Sequence, residues 1–263
     1  MDRPSAPAEA ADDDRRPPAG RVAFVIPLHD HGRTVRDVVT RARSLGHPVF
    51  VVDDGSTDGG AETVAGLDGV VLLRHDRNRG KGAALRTGFA AAARAADWAL
   101  TVDADGQHDP LQAPELLAAV PPGERPIVVG RREGMDAPDT PWKSRFGRKF
   151  SNFWVRAAGG HRVRDTQTGF RLYPLPETLQ LGARADRFQF EVEVLVLARW
   201  RGVPALEVPV AVTYSPPGGR VTHYRPFVDF WRNAAVFGRL VVARLFLPRR
   251  VRARRVEVSV GGV

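Results

Sequence analysis

The stretch WALTVDADGQHDP, residues 98–110, decides the fold class. An uncharged apolar run, 98–102, ends in Asp103, Asp105 and Gln107, and glycine and proline follow at once. Short apolar runs bounded by turn residues read as buried strands. Side chains two apart on a strand point the same way, so a single turn can aim Asp103, Asp105 and Gln107 at one point. Carboxylates that close repel one another unless a cation or hydrogen-bond donors hold them. Hard oxygen donors suit Mg²⁺ or Mn²⁺, which keep water and share substrate phosphates. The plainer alternative is that Asp and Gly here only make a turn and cap the next helix.

Upstream, the same texture repeats. RVAFVIPL (21–28), PVFVVDD (48–54) and VVLLRH (70–75) read as strands, with helices over 34–45 and about 82–96. WALTVDAD (98–105) is a fourth strand, and PIVVGRR (126–132) a fifth after another helix. Apolar strands separated by helices imply an α/β fold with a mainly parallel central sheet flanked by helices. Such sheets bind ligands at the carboxyl ends of their strands, where Asp53, Asp54 and Asp103 fall. A carboxylate at Asp53 or Asp54 can accept from a base N–H or ribose hydroxyls; an Asx turn with an N-cap at Ser56 or Asp58 is the structural alternative. RNRGKGAAL (77–85) puts Lys81 at a helix start, where free backbone N–H groups and the dipole favour a diphosphate. It lacks the first glycine and final hydroxyl of a Walker A loop.

Downstream the chain turns basic: residues 131–171 hold ten Lys or Arg against four Asp or Glu. The segment 141–160 reads as a helix with Phe146, Phe150, Phe153 and Trp154 on one face and Arg145, Arg148, Lys149 and Arg156 on the other. ALEVPVAVTY (205–214) reads as a strand near the far edge of the sheet. Over about 226–247, Asp229, Arg232, Asn233, Arg239 and Arg244 form a polar stripe opposite Phe227, Phe230, Trp231, Phe237, Val241 and Leu245. Helices with aromatics opposite arginines, followed by the tail RRVRARR (249–255), suit an anionic membrane surface; packing of both apolar faces on the sheet is the alternative.

The 263 residues suffice for one sizeable α/β domain, and the absence of cysteine excludes disulfides and thiolate metal sites. A net charge of +9 points to an acidic partner. Residues 1–20 read as a disordered leader, 21–225 as the folded domain, and 226–263 as an amphipathic helix and basic tail at a membrane surface. No stretch reaches 18 uncharged apolar residues, so the chain is expected to attach peripherally.

The motifs VIPLHD, VVDDGSTD, NRGKGAAL, DADGQHDP and VVGRR, in this order, resemble the inverting GT-A glycosyltransferases of family 2, and most of all the dolichyl- and polyprenyl-phosphate sugar synthases. DTQTGFRLY (165–173), RFQFEVEVL (187–195) and GGRVTHYRPFVDF (218–230) continue the resemblance, which covers about residues 21–235. It implies that Pro27, Asp53 and Asp54 border the nucleotide, and that Asp103, Asp105 and Gln107 hold Mg²⁺ or Mn²⁺ on the donor diphosphate. It further implies that Arg131 faces donor or acceptor phosphates and that the 165–171 loop, with Arg171, lies beside the acceptor. Arg220 and His223 match a mobile loop over the diphosphate, with Thr222 in a serine place. The chain departs from the family's common P-x-[YF]-N-E at His29 and Asp30.

The implied reaction moves a sugar from a nucleotide-diphosphate sugar to a polyprenyl phosphate, at the cytoplasmic face of a membrane, with inversion. A lipid phosphate is already an anion and needs no strong base; Arg131, Arg171 and Arg220 would offset repulsion between the phosphates. A hydroxyl acceptor on a lipid or glycan is the runner-up and requires a base, for which Asp165 is the first candidate. A separate integral membrane protein is a candidate partner. The rivals from other classes are a catalytically inactive membrane scaffold and a basic nucleic-acid-binding protein. The latter lacks a C₂H₂, RRM or helix-turn-helix signature, and no nucleic-acid partner is expected.

Overall fold

A computed structural model describes residues 20–134, 142–213, 226–248 and 252. The leader, Arg220, His223 and most of the basic tail lie outside the described residues. So do the side chains of Arg145, Phe146, Phe227, Asp229, Phe230, Trp231, Arg232 and Asn233.

Seven strands form one sheet: β1 (Val22–Leu28), β2 (Val49–Asp53), β3 (Val70–Arg74), β4 (Trp98–Thr101), β5 (Ile127–Arg132), β6 (Arg171–Pro174) and β7 (Ala205–Val210). Their order is β3-β2-β1-β4-β6-β5-β7, with β6 antiparallel to both β4 and β5 and every other pairing parallel. The mainly parallel sheet is as expected. RLYP (171–174), which begins inside the 165–173 motif, is a central strand not assigned from the sequence. β4 is shorter than expected: it ends at Thr101, so Asp103 and Asp105 stand on the turn beyond it.

Helices cover both faces. On one lie α1 (Val35–Ser44) and α3 (Ala113–Ala118), which pack Val35, Val39 and Leu116 over Phe24, Ile26 and Leu100. The helical spacing of Val35, Val38, Val39 and Ala42 makes that α1 face. On the other lie α2 (Lys81–Ala92), α4 (Trp142–Ala157), α6 (Gln189–Arg201) and α7 (Pro226–Phe246), joined through Leu85, Phe89, Val155, Phe190 and Phe237. A short helix, α5 (Glu177–Gln180), follows β6. α2 lies close on β1 because it is built of small residues: a Cβ at Gly88 would come 2.4 Å from Val25 Cγ1. α6 is buried nearly all round from Gln189 to Val196, so its sequence carries no amphipathic stripe.

The C-terminal helix is part of this body. Phe237 and Leu240 are buried, and Phe237 stacks on Trp154 at 6.0 Å. Two residues of the expected polar stripe stay exposed and tie the helix to the rest of the body. Arg239 pairs with the buried Glu193, and Arg244 donates to the carbonyls of Arg156 and Ala157 at the end of α4. Leu245 and Phe153, placed with the apolar faces, are 72% and 62% exposed, whereas Arg148 is buried. One edge of each of these helices therefore packs on the body and another faces out.

Candidate active site

The carboxyl edges of β1, β2 and β4 meet in one place. β1 pairs with β2 so that Leu28 stands opposite Asp53, and Pro27 sits one step inside this edge, opposite Val52. Asp53 Oδ1 accepts from the Ser56 amide at 2.9 Å, the Asx turn expected as the structural alternative. Asp54 is buried, and its carboxylate accepts from the amides of Arg79 and Gly80 at 2.8 and 2.7 Å and contacts His75 Nδ1 at 2.7 Å. Asp54 thus holds the Arg79–Gly80 turn, and with it the position of Lys81.

His29 and Asp30, the departures from the family pattern, form the turn after β1. Asp30 adopts φ 52°, accepts from the Thr57 amide at 2.8 Å and donates its own amide to the Ser56 hydroxyl. Asp58 accepts from the Gly32 amide in turn. A Cβ on Gly60 would lie 2.8 Å from Gly32 Cα, so the two loops touch backbone to backbone. The Thr34 hydroxyl then donates to the Ala104 carbonyl at 2.6 Å, which fastens the β1 loop to the acidic turn.

Lys81 is the hub of that turn. Its Nζ lies 2.7 Å from Asp103 Oδ1 and 3.0 Å from Glu191 Oε1, with its side chain 12% exposed. Burial alone would lower the Lys81 pKa, but Asp103 and Glu191 outweigh it and raise it. Burial pushes the Asp103 carboxyl up, yet Lys81 brings it below the ordinary range. Glu191 goes the other way: burial raises it more than Lys81 and Arg171 lower it. Gly169 is required beside Asp103, since a Cβ there would lie 2.3 Å from Asp103 Oδ2.

The start of α2 differs from the expected open anion site. The Ala83 amide already donates to the Asp186 carbonyl at 2.9 Å. Cβ atoms at Gly80 and Gly82 would each come within 2.4 Å of the carbonyls of Asp186 and Ala185, so the segment before α6 lies across the helix start. Gly80 and Gly82 serve this close approach, and Lys81 acts through its side chain.

Asp105 and Gln107 are half-buried on the same turn. Asp105 Oδ1 accepts from the Gln107 amide at 3.0 Å, and the Gln107 carbonyl accepts from Thr213. Asp103, Asp105 and Gln107 supply hard oxygens from one short turn, which fits a divalent cation that takes its other ligands from water and phosphate. Among the described residues no group of three His, Asp or Glu side chains is placed to hold a metal ion by itself.

Two expected contacts are corrected by burial. Asp165, the candidate base, is 0% exposed and held by Arg132 through Nε at 2.7 Å and Nη2 at 3.0 Å. Burial pushes its pKa up, but the bonds from Arg132 carry it below the ordinary range. A base needs a proton-accepting oxygen at the substrate, and this one lies inside an ion pair. Arg171, expected at the phosphates, is also fully buried and donates to the carbonyls of Thr166, Thr168 and Glu191. It shapes the 165–171 loop from beneath. Arg131 stays half-buried at the end of β5, opposite Pro209.

Sequence reasoning did not single out Arg132, Glu191 or His108. His108 is buried, stacks on Phe170 at 5.5 Å and lies 3.3 Å from the Thr168 hydroxyl. Burial pushes its pKa down to about 4. Glu191 stood within the quoted RFQFEVEVL, but only tertiary packing brings it to Lys81.

A mainly parallel sheet with acids, a lysine and tight glycine turns on one carboxyl edge defines a GT-A glycosyltransferase domain. The family model described as glycosyl transferase family 2 matches residues 23–175, more than half of the chain, and the protein belongs to that family. Similar proteins include the UDP-N-acetylglucosamine–dolichyl-phosphate N-acetylglucosaminyltransferase of Methanococcus voltae, 27% identical over 74% of this chain and 86% of that protein. The polyprenol monophosphomannose synthase of Mycolicibacterium smegmatis is 28% identical over 74% of this chain and 78% of its own length. The fold is similar to that of glucosyl-3-phosphoglycerate synthase from Mycobacterium tuberculosis, solved with Mn²⁺, UDP and glucosyl-3-phosphoglycerate. The TM-score is 0.61 at 19% identity, covering 92% of this chain and 83% of the other.

Proposed function

We propose that the protein transfers a sugar from a nucleotide-diphosphate sugar to a polyprenyl phosphate at a membrane surface. The observation that carries the reading is the carboxyl edge itself, where Lys81 ties Asp103 to Glu191 beside Asp105 and Gln107. The similarity to a dolichyl-phosphate and a polyprenol-phosphate enzyme supports the acceptor class.

Asp103, Asp105 and Gln107 would hold Mg²⁺ or Mn²⁺, which would neutralise charge on the departing nucleotide diphosphate. Lys81 keeps Asp103 ionised and oriented, and Glu191 keeps Lys81 in place. Pro27 and Asp53 border the space assigned to the nucleotide, with Asp54 holding the turn that carries Lys81. Arg131 is assigned to a phosphate, where a guanidinium fork binds oxygens bidentately. The acceptor oxygen of a phosphate attacks the anomeric carbon without losing a proton, so a single displacement inverts that carbon and needs no base. Burial of Asp165 in its Arg132 pair favours this route over a hydroxyl acceptor. Arg220 and His223 are assigned to a loop over the diphosphate by family pattern.

Among the described residues no helix is long and apolar enough to cross a membrane. Peripheral attachment through α7 and the basic tail, at the cytoplasmic face, completes the reading; a membrane protein partner is compatible with it. The test is to incubate the chain with Mn²⁺ and a panel of sugar nucleotides, with and without polyprenyl phosphate. Lipid-dependent release of one nucleoside diphosphate is expected. Release that ignores the lipid, or none from any donor, would sink the proposal.

A further inference from the structure

We propose that the hollow where α4, α6 and α7 end binds the phosphate headgroup of an anionic phospholipid, at a site separate from the acidic turn. The hollow has a volume of about 370 Å³ and is lined by Arg156, Gly159, Gly160, Arg162, Arg199 and Arg244. Three of the arginines come from the last turns of the three helices. The ends are held together: the Trp200 indole N–H donates to the Ala158 carbonyl at 3.1 Å, and Arg244 donates to that of Ala157. Gly159 has φ 76°, and a Cβ there would lie 3.1 Å from Arg244 Nε, so glycine leaves the floor open to the guanidinium. Eight residues of α6 separate Arg199 from Glu191, or about 12 Å along the helix.

Arginine near a helix C-terminus has an ordinary structural use, and Arg244 fulfils it by satisfying carbonyls. That use does not account for all the charge. Three helix ends carry about half a negative charge each, so roughly −1.5 meets four guanidinium groups and leaves an excess of about +2.5. Among the described residues, none of the four is paired with a carboxylate. A phosphate matches this excess, and arginine forks suit its oxygens. Arg252, over the Trp200 ring at 5.4 Å, adds a further cation close by.

The apolar neighbours select a lipid over a free anion. On the last turns of α7 and just beyond, adjacent to Arg244 in sequence, Val242, Leu245, Phe246 and Leu247 are 54%, 72%, 78% and 44% exposed. Side chains of this kind beside cations enter the boundary between headgroups and acyl chains. The lipid would bind at the far end of α6 from the reaction, as an anchor rather than as acceptor.

The test compares binding of the full chain to phosphatidylcholine vesicles with and without phosphatidylglycerol. Arg156→Gln with Arg199→Gln is set against a control pair, Arg43→Gln with Arg94→Gln, in α1 and after α2. Each basic residue at an anionic surface is worth about fivefold, so the first pair should bind phosphatidylglycerol vesicles roughly 30-fold more weakly. The control pair should lose only a few-fold. Equal losses in both pairs would reduce the effect to bulk charge and overturn the site, as would undiminished binding of the first pair. Leu245→Ser with Phe246→Ser keeps the arginines and should also weaken vesicle binding. Full vesicle binding by that variant would show that the apolar side chains contribute nothing to the choice of ligand and would overturn the lipid anchor. Sugar-nucleotide binding by the same variants, measured calorimetrically, reports the acidic turn separately, so failure of the anchor and failure of the proposed reaction are distinguishable.

Discussion

Arg131 and Arg132 are neighbours in β5 with opposite expected roles, and substituting each by Gln separates them. Arg132 makes two charge-assisted bonds, at 2.7 and 3.0 Å, to Asp165, which has no exposed surface. Removing Arg132 strands a buried carboxylate, a change that costs about 3–5 kcal/mol. In a domain of this size that lowers Tm by about 6–20 °C. The loss has a pH signature. Asp165 has a folded pKa below its unfolded value, so its stabilising effect is full above the unfolded carboxylate pKa and fades as pH falls through the folded one. The deficit of Arg132→Gln should therefore shrink on acidification, as Asp165 becomes free to protonate. Arg131→Gln should unfold with wild-type stability and lose lipid-dependent nucleotide release. Urea titration of both variants at neutral and acid pH, with release assayed alongside, measures all of this. A cost below about 1 kcal/mol for Arg132→Gln, or a deficit that grows towards low pH, would refute the buried-pair reasoning.

Asp105→Ala should abolish metal-dependent nucleotide release while urea unfolding stays close to wild type; full activity in this variant would remove Asp105 from the metal site. Gly169→Ala forces a Cβ to 2.3 Å from Asp103 Oδ2, so it should displace that carboxylate from Lys81 and weaken Mn²⁺ activation, read as a raised Mn²⁺ requirement. His108 is held neutral by burial, with a pKa pushed down to about 4. The unfolded chain gains a proton near 6.5 that the folded one refuses, so stability should fall from about pH 6.5 towards 4. In His108→Asn that slope should flatten, as seen in urea midpoints across the range.

The parallel part of the fold was legible because its signals are local. VAFVIPL, VFVVD and VVLLR are apolar runs closed by turns, and the periodicity of Val35, Val38, Val39 and Ala42 marks a helix face. β6 was not legible, since RLYP is four residues long and only its neighbours on both sides make it a strand. α6 escaped for a related reason: a helix buried all round has no stripe to read.

At the site, the acids at strand ends and the lysine after a glycine turn could be named from the chain alone. Residue type, order and turn chemistry determined the α/β class and placed the acids and the lysine at the carboxyl ends of the strands. Which charges face a substrate and which face one another was decided only by the tertiary structure. Asp165 and Arg171 look like surface chemistry in sequence, yet burial turns them into supports, while Glu191 is brought to Lys81 from far along the chain. The reason is physical: a charged side chain's role depends on its desolvation and its partners, and both are set by residues distant in sequence.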